Sequence, residues 1–253
     1  MKSLAFSVLF LSIFGHEVHS QVVNIENMRT QTDTTGWLGS LGASFALNKT
    51  VEEVFGVNLE AHLQYKSKDT RSLWLIIGDY GFLQGGGQKF ISSTFAHTRY
   101  NYKINDLLRW EVFLQAQNNL VTKIDWRFLA GTGPRFKIVG TKKIRLYVAS
   151  LMMYEHEKEI TSPSVVHRDL RNSSYISFTF IPSPSVELVS TSFYQPLLKY
   201  IKDHRLLNQV ALKVHAGKKL SMNMRWNYLY DRFPAADIPH TTYNLTSGFE
   251  YDF

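Results

Sequence analysis

From residue 36 to the last residue, the chain repeats short segments in which every second side chain is apolar, and this period of two rules out a helical domain. In residues 54 to 66, Phe55, Val57, Leu59, Ala61, Leu63 and Tyr65 share one face while Asn58, Glu60, His62, Gln64 and Lys66 share the other. The split recurs with Leu108, Trp110, Val112, Leu114 and Ala116 against Arg109, Glu111, Gln115, Gln117 and Asn119. It returns near the end, where Leu220, Met222, Met224, Trp226, Tyr228 and Tyr230 oppose Ser221, Asn223, Arg225, Asn227 and Asp231. The last segment sets Tyr243, Leu245, Phe249, Tyr251 and Phe253 against Asn244, Thr246, Glu250 and Asp252.

About twelve such segments are expected, at residues 36 to 48, 54 to 66, 72 to 83, 90 to 103, 108 to 119, 123 to 136, 143 to 157, 170 to 181, 186 to 196, 204 to 215, 220 to 231 and 243 to 253. The third, Leu73 to Phe82, is apolar on both faces and does not fix its own orientation. Pro134 lacks a ladder donor and reads as a strand end or a bulge. An even count puts both ends of the barrel on one side. Short turns are expected at 67 to 71, 104 to 107, 137 to 142, 182 to 185 and 216 to 219, and the longest loops, 158 to 169 and 232 to 242, on the opposite side.

Composition narrows the setting for these strands. Lys2 precedes an apolar run from Leu4 to Phe14 and a polar stretch ending Val18-His19-Ser20, the layout of a signal peptide over residues 1–20 with the mature chain starting at Gln21. Residues 21–35 are polar and irregular, a periplasmic tail or a segment entering the lumen, and 36–253 are expected to form one barrel domain. After the signal no apolar run approaches 18 residues, so a helical membrane protein is excluded. The chain has no cysteine, which removes disulfides, thiolate nucleophiles and cysteine metal sites. Its formal net charge of +7 is dispersed along alternating positions without runs, so nucleic acid is not expected as a partner.

Alternation alone does not say where the apolar faces go, because a soluble β-domain would hide them and a membrane barrel would turn them to lipid. Long strands of even length, aromatic residues at 14% crowding toward segment ends, and the terminal Phe253 as a C-terminal assembly signal favour the barrel. The fold class is therefore all-β, a single closed antiparallel up-and-down transmembrane barrel of about 12 strands in a Gram-negative outer membrane. Its partners are outer-membrane lipids, the barrel-assembly machinery during insertion, and a small solute of unidentified kind. Lys142-Lys143 and Lys218-Lys219 at the short turns serve headgroup anchoring or simple turn solubility.

In that barrel the polar faces point inward. The expected lumen network comprises Glu60, His62, His97, Arg99, Arg109, Glu111, Gln115, Gln117, Asp125, Arg127, Arg145, Glu155, Arg205, Arg225 and Glu250, with Glu187, Lys213 and Asp252 on the same faces. Arg99 and Glu111 are expected opposite each other on adjacent strands, as are Gln117 and Asp125. Phe95, Phe113, Tyr147, Leu151 and Met153 also face inward, which predicts a packed or slender lumen in place of a wide pore.

Signals for chemistry are weak. Ser93 and His97 share a strand face, and His62 and His215 also point inward, but no nucleophile motif accompanies them. Glu155-His156-Glu157-Lys158-Glu159 reads as a solvated strand end, since alternation separates neighbouring side chains. Gly85-Gly86-Gly87 lacks the Lys and Ser/Thr of a phosphate loop, and Gly131-Thr132-Gly133 is nonspecific. No catalytic residue, metal site or cofactor is expected.

The stretch Arg99-Tyr100-Asn101-Tyr102 followed by Trp110-Glu111-Val112-Phe113-Leu114-Gln115-Ala116-Gln117-Asn118-Asn119 resembles the uncharacterised bacterial family that includes the salt-induced outer-membrane proteins. Gly133-Pro134-Arg135, Met153-Tyr154-Glu155, Ser173-Ser174-Tyr175-Ile176-Ser177 and Tyr194-Gln195-Pro196 are similar in the same order. The resemblance implies an outer-membrane barrel and no established activity. Three functions follow: a narrow channel or envelope-stress structural component, an outer-membrane hydrolase or lipid-modifying enzyme, and a soluble periplasmic ligand-binding barrel.

Overall fold

Alternating sequence becomes alternating burial along the described strands. A computed structural model describes residues 35–49, 53–85, 88–217 and 220–252. They form twelve strands: β1 (Gly36–Lys49), β2 (Glu53–Lys66), β3 (Ser72–Gly85), β4 (Gln88–Lys103), β5 (Leu108–Asn119), β6 (Ile124–Gly140), β7 (Ile144–Glu159), β8 (Val166–Ser183), β9 (Val186–Leu197), β10 (Tyr200–His215), β11 (Leu220–Asp231) and β12 (Thr241–Asp252). Each pairs antiparallel with its sequence neighbours, and β12 returns to β1 through Ser40↔Asp252 and Leu41↔Tyr251, curling the sheet into a barrel. The expected N-terminal signal peptide, residues 21–34, Lys218-Lys219 and Phe253 lie outside the described residues, as do the side chains of Glu250 and Asp252.

Twelve segments were expected and twelve strands are present, several of them longer than the alternation indicates. β7 runs to Glu159 and β8 starts at Val166, so the loop expected at 158 to 169 shrinks to 160–165. β6 extends to Gly140, and the connection after β11 covers 232–240. The periodicity fades at these ends because bulges break it: β6 shifts register against β7 at Ile124/Trp126 and again at Lys137/Val139.

Pro134 is neither a strand end nor a bulge. It lies inside β6 opposite Trp110, and the β6–β7 pairing resumes beyond it in unchanged register, from Thr132↔Met152 to Arg135↔Ala149. Next to it, a side chain on Gly133 would come within 2.3 Å of the Ser150 carbonyl oxygen, so the β7 backbone passes where only glycine fits.

Asp79 decides the orientation that the apolar third segment left open. It is buried inside with Leu75 and Ile77, while Trp74, Ile76 and Tyr80 stand on the outer wall. The wall is apolar around the barrel, with Trp37, Leu41, Leu59, Leu114, Phe128, Met152, Ile176 and Leu245 among its exposed side chains. Outward polar groups pair locally: Asn172 donates to Ser150 at 2.9 Å and Asn208 to Ser192 at 2.7 Å. The opposite faces meet in the interior, where Phe113, Leu129, Leu151, Met153, Tyr175, Phe193, Leu207 and Leu229 form one buried cluster. That satisfies the expectation of a packed lumen along β5 to β11.

Candidate functional site

The inward polar residues gather in layers, one toward each end of the barrel. At the end carrying the connections 104–107 and 141–143, Glu111 is wholly buried and receives Arg135 at 3.1 Å on Oε1 and Arg99 at 3.2 Å on Oε2. Tyr175 Oη donates to the same Oε2 at 2.7 Å and accepts from Arg135 at 3.1 Å. The Arg135 guanidinium lies 4.0 Å from the centre of the Tyr147 ring, and Arg109 donates to Tyr147 Oη at 3.3 Å. The rings replace hydration that these arginines lose inside the barrel.

The expected Arg99–Glu111 ion pair forms, but diagonally. Asn101 is the residue opposite Glu111, and Arg99 stands opposite Phe113, because the β4–β5 turn spans 104–107 and offsets the pairing by one inward position. Gln117 stands opposite Arg127, not Asp125. Asp125 is corrected outright: the bulge at Ile124/Trp126 takes it off the lumen face, and it pairs with Lys158 at 2.7 Å where both are exposed.

The second layer lies toward the end that carries loops 120–123, 160–165 and 232–240. Glu155 is buried between Arg127, Arg171 at 2.7 Å and Arg205 at 2.6 Å. Arg205 also binds Asp231 at 2.8 Å, Arg171 binds Asp203 at 2.9 Å, and Arg127 approaches Glu157 at 3.1 Å. Alternation along β7 keeps Glu155, Glu157 and Glu159 on one inner face, and all three are buried, so the solvated strand end expected here is corrected. His167, directly opposite Glu157 on β8, reaches Glu159 Oε1 through Nε2 at 2.8 Å.

A third, thinner set lies on the remaining wall. Arg225 of β11 reaches Glu60 of β2 at 3.1 Å across the two intervening strands, and both keep some exposure, 13% and 25%. Gly42 of β1 and Gly248 of β12 bare the backbone at two positions between them. His62 and Gln115 are buried and Arg145 is half-buried.

Sequence reasoning missed Arg135, Arg171, Asp169 and Asp231 as network members. Arg135 follows Gly133-Pro134 in a stretch expected to end a strand, and Asp169 fell in an expected loop. Arg171 and Asp231 had the right parity, which was signal enough to include them.

The Ser93–His97 pairing has no catalytic geometry. His97 Nδ1 meets Gln115 Oε1 at 3.1 Å, and its ring stacks against Phe95 and Phe113 at 6.0 and 5.5 Å between centroids. A base needs its nucleophile within hydrogen-bond reach, and Ser93 Oγ makes no hydrogen bond to the ring.

Over residues 41–253 the sequence matches the family described as "Protein of unknown function, DUF481". The chain belongs to this family. A comparison with the curated proteins finds no match. Among solved structures, an outer-membrane channel from Pseudomonas putida F1 is similar at a TM-score of 0.54 and 10% identity, covering 92% of this chain and 100% of that one. The NanC porin is similar at a TM-score of 0.53 and 10% identity, covering 85% of this chain and 98% of the porin. At that identity the likeness is one of fold: this DUF481 chain is similar in fold to an outer-membrane channel and a porin.

Proposed function

We propose that this chain is an integral outer-membrane barrel acting as a slender conduit for a small polar solute, with its bore confined to the wall formed by β12, β1 and β2. The observation that carries the reading is the inverted distribution of polarity. Large apolar side chains stand exposed on the outer wall, while Glu111, Arg127, Arg135 and Glu155 are sealed inside. Hydrocarbon outside accounts for that arrangement, whereas water outside would leave an unusually large apolar surface exposed. A soluble periplasmic barrel is disfavoured for the same reason.

The conduit, as distinct from a purely structural role, is supported by the uneven filling of the lumen. Along β5 to β11 the apolar cluster blocks the interior, but Glu60 and Arg225 retain exposure beside the bare backbone of Gly42 and Gly248. Their ion pair spans the inner surface of β1 and β12 and would be the constriction. The channel and porin folds named above support the same reading, and the resemblance to salt-induced proteins supports a role under envelope stress. Reconstitution in planar bilayers tests it: wild-type protein should give small, discrete conductance steps, and Glu60→Gln should change their ion selectivity. Silence across a range of salt and voltage would leave the structural role.

A further inference from the structure

Glu157 and Glu159 of β7 and His167 of β8 place three ligand atoms within 4.8 Å of one another at the loop end of the lumen. We infer that this trio is a binding site for a divalent transition-metal ion, with zinc the best fit. Glu157 and Glu159 are two residues apart on one strand and so share its inner face, and His167 stands opposite Glu157 in the next strand. Cross-strand register thus supplies the third ligand that the Glu-His-Glu-Lys-Glu stretch lacks on its own, since His156 points to the outer wall beside Trp126.

Charge makes the case beyond proximity. Among the described residues the surrounding network holds three guanidinium groups, Arg127, Arg171 and Arg205, against five carboxylates, Glu155, Glu157, Glu159, Asp203 and Asp231. Neighbouring charges cancel in pairs: Asp125 with Lys158, Asp169 with Lys199, Asp237 with Lys123. Among the described residues the carboxylates of this network thus outnumber its guanidinium groups by two, a balance that favours a cation. Glu157 is 3% exposed, and its Oε2 accepts no hydrogen bond, its contacts being the ion pairs with Arg127 Nε at 3.1 Å and Arg205 Nη2 at 3.9 Å.

The ligand set selects the ion. An imidazole with two carboxylates suits zinc, nickel or cobalt, whereas calcium asks for six or more oxygens. Zinc bonds of about 2.0–2.2 Å hold ligand atoms roughly 3–4 Å apart, so a small contraction of the trio completes the site. His167 is the most exposed of the three at 38%, and it gives the ion its way in from the loop side.

The test uses full-length protein folded in detergent micelles, titrated by calorimetry with zinc chloride and with calcium chloride, and by absorption with cobalt(II). Wild type should bind one equivalent of zinc, and cobalt should give the visible bands of a low-symmetry nitrogen-containing site. His167→Gln and Glu159→Gln should each weaken zinc at least tenfold, and calcium should produce no heat. Heat-modified gel mobility verifies that each variant is a folded barrel. Zinc affinity unchanged in both folded variants overturns the assignment. So does a folded wild type that binds no zinc.

Discussion

Glu155 shows what one buried side chain does here. Three guanidinium groups converge on it, and each has lost its water. Removing the carboxylate leaves the arginines facing one another with Glu157, Asp203 and Asp231 as their counter-charges among the described residues. Deleting one partner of a buried ionic network costs about 3–5 kcal/mol, far above the ~0–1 kcal/mol of an exposed pair. Glu155→Ala should therefore lower the urea midpoint of the reconstituted barrel sharply, while Asp125→Asn, which breaks the exposed pair with Lys158, should leave it nearly unchanged. Equal small effects would mean that solvent reaches the network.

Strands test the membrane assignment more directly than residues do. Leu114 lies mid-way along β5 and Leu108 at its end, both on the outer face. An arginine at bilayer mid-depth costs about 2–4 kcal/mol and near the interface about 0–1 kcal/mol. Leu114→Arg should therefore destabilise the lipid-embedded barrel much more than Leu108→Arg, a depth dependence measurable by equilibrium unfolding from vesicles and foreign to a water-exposed wall. The loops give a second test. Lys123 of the 120–123 loop donates to Asp237 of the 232–240 loop at 2.8 Å. That hydrogen bond, with the lysine charge behind it, holds the Asp237 carboxyl below its ordinary 3.8. A depressed carboxyl favours the tethered form above the ordinary value, and the preference is lost as pH falls through the depressed one. Spin labels on the two loops should report a fixed separation at pH 7 that broadens only below about pH 4. The same strands show how far sequence reaches. Strand number and facing were legible because one parity is greasy in segment after segment, as in Phe55 to Tyr65. Register was not, because it depends on turns and bulges: Arg99 pairs diagonally with Glu111, and Asp125 leaves the lumen at the Ile124/Trp126 bulge. The Glu157–Glu159–His167 grouping needed the β7–β8 register, which no single segment carries.

For the whole barrel, the question is what fills it. Both charged layers are bonded internally, and between them Phe113, Leu151, Met153 and Phe193 pack side by side. A water-filled pore would have kept those inward positions polar, so the apolar layer is a built-in plug along β5 to β11. Phe113 holds it against the wall, for its ring covers Gly131, where an added side chain would come within 2.3 Å of it. Conduction on this view is restricted to the opposite wall, past Glu60 and Arg225. Removing plug side chains should open a second, wider path while leaving the ion pairs of both charged layers in place, Arg99 losing only the Phe113 ring that lies 5.3 Å from its guanidinium. Phe113→Ala combined with Met153→Ala deletes two of the largest of them, and the cavity costs about 2–5 kcal/mol at each site, so folding must be verified by heat-modified mobility. In planar bilayers the folded double variant should show unit conductance several-fold above wild type, with the Glu60-dependent selectivity diluted. A folded variant whose conductance matches wild type would place the limiting constriction elsewhere and assign the apolar layer to stability alone.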